Sequence, residues 1–549
     1  MNKQICIIIL LLTCRCVVIN AQTNVSGFIS TNTTWNLAGS PYIVIGNTLV
    51  SQGFTLTIEP GVIVKFNTDK ALQIDGELIA IGTAQNRITF TSNKVSPAAG
   101  DWAKIHFSDA SVDAVFDTTG NYVAGSIMKF CDILYGGGLG FGAIHSLYSS
   151  QYFSNCRIMY SSIRGIYYEG FSFVMDSSSI KNCSDYGLYL ARVECNLSIK
   201  NNFIENNRGG IFIQCPSSNT CLQEISNNYF NLNYDQNTLL LLSTYNLIIS
   251  DNYFVNNNGI DNSILELNNS SPHIHYETID CNKFLYNQSS NGSIFLATNH
   301  LIGSMSNNVF NGNIVSTANS IVDLSEPSSF YFRNNLLINN SSTLAPCFKC
   351  TLSSGLALDH NEFSNNTGTS ALHILSNPNS YGFKYNNLSN PNCQYELYND
   401  TPYGQPNITA DSNYWGSTSI QHIDSVIYDF FDFANQSVVY YSPILVSPAV
   451  VDTTCPVIPT LISNIDPSLF TFNLFPNPVT THFTIVFNKI IHKGSIEIYN
   501  TLGDNVLQEN IHYASPKEIS LLTISNGIYL VRLFDGQRYY SKKIIVEHD

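Results

Sequence analysis

The chain is short of charge. Only 12% of its 549 residues are Asp, Glu, Lys or Arg, and acidic residues outnumber basic ones 40 to 25. The resulting net charge of −15 repels phosphate backbones, which argues against nucleic acid as a partner. Long apolar runs are lacking as well. The one candidate, Ile5 to Leu12, is too short for a permanent membrane anchor. Several chemical signatures are also missing. Cys347 and Cys350 form a lone Cys-x-x-Cys, and strand alternation should send them to opposite faces, which excludes a zinc knuckle or redox pair. Gly136 to Gly142 is glycine-rich but precedes no helix, so it reads as a turn rather than a phosphate cradle.

The N-terminus carries Lys3, the apolar run and a small-residue exit at Asn20-Ala21, the pattern of a signal peptide (1–21) cleaved after Ala21. Removal of Lys3 and Arg15 takes the mature chain to −17. Of the 14 cysteines, Cys6, Cys14 and Cys16 leave with the signal, and the remaining 11 cannot all pair within one chain. An oxidising exterior favours one local bridge, Cys215 to Cys221, with the rest as buried thiols; Cys131 and Cys156 share one slot in adjacent coils and are expected to stack as thiols, a bridge between them being the alternative.

A repeat dominates the body of the chain. The pattern Asn-x-Phe-x-x-Asn recurs around Phe203, Phe230, Phe254, Phe284, Phe310 and Phe363, with weaker copies at Leu337, Leu388 and Trp415. In chain order the steps are 27, 24, 30, 26, 27, 26, 25 and 27 residues, and upstream Ile133, Ile158 and Ile180 occupy the same slot. Each repeat holds a second alternating run, such as Gly165–Tyr168, Gly187–Leu190, Gly210–Ile213 or Ser320–Leu324. Runs this short with period 2 are strands, and the spacing leaves no room for a crossover helix. The economical solution is a coil whose strands pair in parallel with the coils above and below. Inward Phe, Ile and Leu then stack. The repeated Asn should occupy the turn, in the left-handed conformation, and bond to its copy in the next coil.

The repeat resembles right-handed parallel β-helix proteins of the pectate-lyase-like superfamily. Leu56–Phe66, Gly76–Ala80 and Ile88–Phe90 are similar to the opening coils of a secreted bacterial branch, and Asp411–Gly416, Ile423–Asp429 and Tyr441–Pro443 to its closing cap. A cap is needed to cover the open edge, and Ser419–Phe433 has Ile423, Ile427 and Phe430 at helical spacing. Phe28, Trp35 and Tyr42 are expected to close the other end. The resemblance implies fold and not activity, since the superfamily contains lyases, hydrolases and non-catalytic surface proteins. Its polygalacturonase-like signature is absent, with no Asp-Asp pair and no Gly-His-Gly, and so is the Arg-x-Pro-x-x-Arg pattern of pectate lyases.

After residue 445 the repeat ends. A proline-marked linker covers 446–472, and 473–549 reads as short alternating strands of a small β-sandwich. Pro476, Asn477, Pro478, Gly503, Gly527, Tyr529, Lys542 and Lys543 match the type A C-terminal sorting domain of the type IX secretion system. That resemblance implies export through the periplasm to the cell surface or medium, with the secretion machinery as a partner. The expected architecture is therefore all-β: a right-handed parallel β-helix solenoid over 22–445, then a sandwich.

One column holds candidate chemistry. In Leu265–Leu267, Val322–Leu324, Phe348–Cys350, Leu372–Ile374 and Tyr395–Leu397 the flanking residues point in and the middle one out. Glu266, Leu296, Asp323, Lys349, His373 and Glu396 should then line one face, with His373 next to Glu396. A polysaccharide lyase needs carboxylates to hold Ca²⁺ or neutralise a uronate, and a Lys or His to take a proton. A ladder of opposite charges, worth a few tenths of a kcal/mol per pair, gives the same pattern without catalysis. The second explanation is preferred. It leaves a monomeric, non-catalytic binder of an extracellular polysaccharide or matrix component, with no metal or cofactor. The alternative is a lyase or hydrolase in this groove, with Ca²⁺ as its cofactor if a lyase.

Overall fold

Alternation puts successive side chains on opposite faces, so a coil of short strands buries one side and leaves its backbone edges for the coils beside it. The structure is a computed structural model that describes residues 22–455 and 472–548, except 119, 195, 216–221, 244–245, 269–274, 299–300, 328, 352–354, 376–381, 476–478, 488–490, 501–503, 515–516 and 535–538. The signal segment lies outside the described residues. Two compact units divide the chain between Cys455 and Pro456.

The first unit is a parallel β-helix. One face is a sheet of fourteen strands, from Thr33–Trp35 to Phe383–Lys384. A second face carries the repeated Phe, and a third carries the charged column; their strands join in one further parallel sheet. On the second face Phe230, Phe254, Phe284 and Phe310 are fully buried and stack at centroid separations of 4.6, 4.7 and 4.4 Å. Ile133, Ile158, Ile180 and Ile204 continue that inward column upstream. Phe203 therefore does not belong to it. Ile204 pairs with Phe230, while Phe203 pairs with Tyr229 and points outward.

The asparagines form two buried ladders rather than one. Asn202, Asn228, Asn252, Asn282 and their successors to Asn413 make the first, and Asn207, Asn233, Asn257, Asn287 and their successors to Asn390 the second. The Oδ1 of each accepts from the backbone N–H and the side-chain amide of the Asn one coil earlier; at Asn282 both distances are 3.0 Å. The left-handed residue is not the ladder Asn but the one before it: Asn201, Asn227, Asp251 and Asn307 have φ of 59°, 55°, 56° and 58°. That residue turns the chain so that the next amide faces inward, which explains why the register at Phe203 slips by one.

Trp35 stacks on Tyr42 at 4.8 Å near the N-terminal end, but Phe28 is 79% exposed and takes no part in closure. At the other end a helix, Ile420–Val426, is capped by the Ser419 hydroxyl and buries Ile423. It stops early because Ile427–Tyr428 turns into strand and pairs with Leu397 and Tyr398.

Past the cap the chain runs back along the solenoid. Leu445 donates to the Asn413 carbonyl at 2.9 Å, Ala449 exchanges two bonds with the Asn387 side chain at 2.7 and 3.0 Å, and Cys455 is disulfide-bonded to Cys281. Asn387 and Lys283 are four coils apart on the second face, about 19 Å, and six extended residues span about 20 Å. The expected Cys215–Cys221 bridge is not formed: Cys215 is a free, buried thiol that accepts from Gln223 at 3.1 Å, and Cys221 lies outside the described residues. Cys131 and Cys156 are free and stacked as expected. Cys347 and Cys350 are both fully buried, against the expected opposite faces, because Cys347 precedes the strand Phe348–Thr351 and does not follow its alternation.

The second unit contains antiparallel sheets of three and four strands around a core that includes Phe483, Ile496, Val531 and Ile544. Gly527 opens the strand Gly527–Phe534, and Tyr529 is buried with its hydroxyl donating to the Ser525 carbonyl at 2.8 Å. Lys542 and Lys543 lie on the strand Tyr539–Val546. Pro476, Asn477, Pro478 and Gly503 fall outside the described residues.

Candidate functional site

On the third face each coil offers a strand whose middle residue points away from the core. In register these are His106, His145, Tyr167, Tyr189, Phe212, Leu240, Glu266, Leu296, Asp323, Lys349, His373, Tyr398 and Tyr428. The column is longer than the charged segment alone and is aromatic at both ends. Tyr189 stacks on Tyr167 at 5.5 Å and on Phe212 at 4.2 Å, and the Arg164 guanidinium lies 4.1 Å from the Tyr189 ring centroid. Tyr398 stacks on Tyr428 at 4.3 Å.

Asp323, Lys349 and His373 are brought together as adjacent rungs. Lys349 Nζ donates to Asp323 Oδ2 at 3.4 Å, a long contact. Asp323 is 7% exposed and its Oδ1 has no hydrogen-bond partner. Burial pushes its pKa up, opposed by Lys349. His373 Nε2 also lacks a partner, since the nearest carboxylate, Asp400, is 3.6 Å away and out of hydrogen-bond reach. Burial holds the imidazole's pKa down, opposed by Asp400. The cluster thus has an acceptor and a ring nitrogen to spare, placed one coil either side of an ammonium.

Glu396 is not a member of the column. Leu397, not Tyr395, pairs with Leu372, so Tyr398 takes the rung after His373. Glu396 turns inward, 5% exposed, and accepts from Asn390. Glu266 does belong, but its Oε2 accepts from Asn237 at 3.0 Å, and Leu296 separates it from Asp323. Among the described residues one group has the spacing of metal ligands, Asp251, Cys281 and Cys455, and its two sulfurs are bonded to each other.

The aromatic half was legible in the same rule that exposes the charged half. Ile166–Tyr168, Leu188–Leu190 and Ile211–Ile213 have the same in-out-in form, which points Tyr167, Tyr189 and Phe212 outward.

Residues 27–138 match the pectate-lyase like beta helix domain, residues 142–301 the right handed beta helix region, and residues 473–547 the secretion system C-terminal sorting domain. No curated protein matches the chain. The sorting domain directs export by the type IX system to the cell surface or the extracellular space and implies contact with that machinery. Among the described residues no helix is long and apolar enough to cross a membrane. The chain is a right-handed β-helix protein, pectate-lyase-like in its first coils, that carries a type IX secretion sorting domain at its C-terminus.

Proposed function

We propose that the mature protein, freed of its signal peptide, binds an extracellular glycan or matrix component along the third face, as a monomer and without turnover. The observation that carries this reading is the column from His106 to Tyr428, in which half-buried Tyr rings sit on one strand face with polar groups between them. Rings with polar tips suit a ligand that is apolar on its ring faces and hydroxylated at its edges. Stacking of the rings on one another contributes about 0.5–1.5 kcal/mol per pair to the fold, so stability explains part of the column by itself. Binding needs no cofactor. The test is retention of the full mature chain on a panel of polysaccharides and matrix components, with mass spectrometry of the supernatant. Retention with no released oligosaccharide is expected; retention by none of the panel contradicts the proposal.

The second reading, a lyase or hydrolase at Asp323, Lys349 and His373, is favoured by the two buried polar atoms that lack partners. Released unsaturated or shortened products, with or without Ca²⁺, would establish it. Their persistence in a Lys349→Ala, His373→Ala double variant would remove the assignment to this cluster.

A further inference from the structure

Upstream of Tyr167 the column holds a cluster of nitrogen bases. Lys104 and His106 flank the buried Ile105, and His145 follows His106 one coil on. The His145 ring is sandwiched, 4.5 Å from His106 and 4.3 Å from Phe141, with interplanar angles of 28° and 3°. Lys104 Nζ lies 3.4 Å from His145 Nδ1 and 4.8 Å from the Phe141 ring centroid. Among the described residues no carboxylate pairs with Lys104, and burial lowers its pKa. The nearby Asp75 accepts from Gln73 and Ser108 at 2.9 and 2.7 Å instead.

An ammonium only donates, so Nδ1 of His145 accepts from Lys104 and the neutral ring carries its proton on Nε2. Burial, with His106 and Lys104 beside it, pushes the His145 pKa down to about 3, so the ring is neutral at physiological pH. His106 spends its Nδ1–H on the His145 carbonyl at 3.2 Å. What is left is a half-desolvated cation with two unspent N–H donors, next to an imidazole N–H, with no carboxylate in contact with it among the described residues; Asp75 and Asp109 act on the neighbouring His106 from a distance.

We infer that Lys104, His145 and Phe141 form an anion subsite, which takes a carboxylate or sulfate group of an acidic extracellular glycan. An anion satisfies both the charge and the donors, whereas a neutral sugar hydroxyl accepts a bond but leaves the charge uncompensated. Phe141 is 44% exposed and offers apolar surface for the sugar that carries the anion. The inference rests on the glycan-binding reading and narrows it to acidic glycans.

The full mature chain and its Lys104→Met and Lys104→Arg variants are titrated by calorimetry with dextran, dextran sulfate and oligogalacturonate. The native chain is expected to bind at least one acidic probe about tenfold tighter than dextran, and the sulfate and carboxylate arms show which anion the site takes. Lys104→Met loses that advantage, and Lys104→Arg keeps it. Equal acidic binding by the native and Met chains overturns the subsite, as does a preference for plain dextran; both leave the parent reading standing. Binding of none of the three overturns the subsite, and the wider panel then tests the parent reading separately.

Discussion

Glu396 stands where the next asparagine of the second ladder would be: its carboxylate accepts the Asn390 backbone N–H at 2.5 Å and the Asn390 side-chain amide at 2.7 Å. The last amide of the ladder would otherwise leave two buried donors unsatisfied. Burial raises the Glu396 pKa to about 7, against the pull of the Asn390 bonds. The folded state therefore holds a proton that the unfolded chain gives up near pH 4.5. The stabilisation is complete below about pH 4.5 and is lost as the pH rises to about 7, a change of about 3 kcal/mol at most. Amide exchange in the closing coils should quicken over that window, and Glu396→Gln should flatten the dependence. An unchanged slope in the Gln variant would remove Glu396 as its source.

Asn282→Ala removes the acceptor of two buried donors on Asn252 and an amide whose two N–H groups are shared among the Ile249 and Asp280 carbonyls and Asn308 Oδ1. Its cost should be about 3 kcal/mol or more, read as local exchange in the adjoining coils. Asn307→Ala, at the left-handed position just before the ladder, loses a bond to Asp280 and puts Ala at positive φ, and should cost about 1–2 kcal/mol, less than the ladder residue. Equal costs would show that turn geometry and not the ladder sets stability.

The register at Phe203 gives an inverted expectation for two neighbours. Ile204→Ala should cost about 2–4 kcal/mol as a core truncation, and Phe203→Ser well under that. A urea titration of both variants decides it. The larger loss at Phe203 would restore the sequence alignment and contradict the ladder.

Digestion without reduction should yield a peptide pair linking Cys281 to Cys455, while Cys215 alkylates only after unfolding. The bond closes a loop of 174 residues and so contributes about 5 kcal/mol in the chain-entropy account. Cys455→Ser should expose 446–455 to protease at native temperature. A Cys215–Cys221 peptide in place of this pair would contradict the strap.

Much of this was readable in the chain. The period near 26 residues and the in-out alternation are local properties, so the β-helix, its Asn ladder, its helical cap and the sorting domain all follow from short windows of sequence. What failed was long-range or off by one. Cys281 and Cys455 are joined through the path of the linker, which no periodicity encodes. Asn201 and Asn202 look alike in sequence, and only the backbone turn decides which enters the ladder. Glu396 sits two residues before Tyr398, the true rung, because the closing coil shifts its strand after Asn390. Charge marks one half of the third-face column by residue type alone, whereas Tyr167, Tyr189 and Phe212 have the composition of core residues.

Affinity measurements on a paired variant show whether the third face binds glycan. Tyr189→Ala with Tyr398→Ala removes one ring from each aromatic end, and Tyr331→Ala, an exposed ring on the fourteen-strand face, is the control. Against a glycan that the native chain retains, the paired variant should bind at least about tenfold more weakly, with the control unchanged. Loss in the control and retention in the pair would place the binding surface elsewhere and contradict the account.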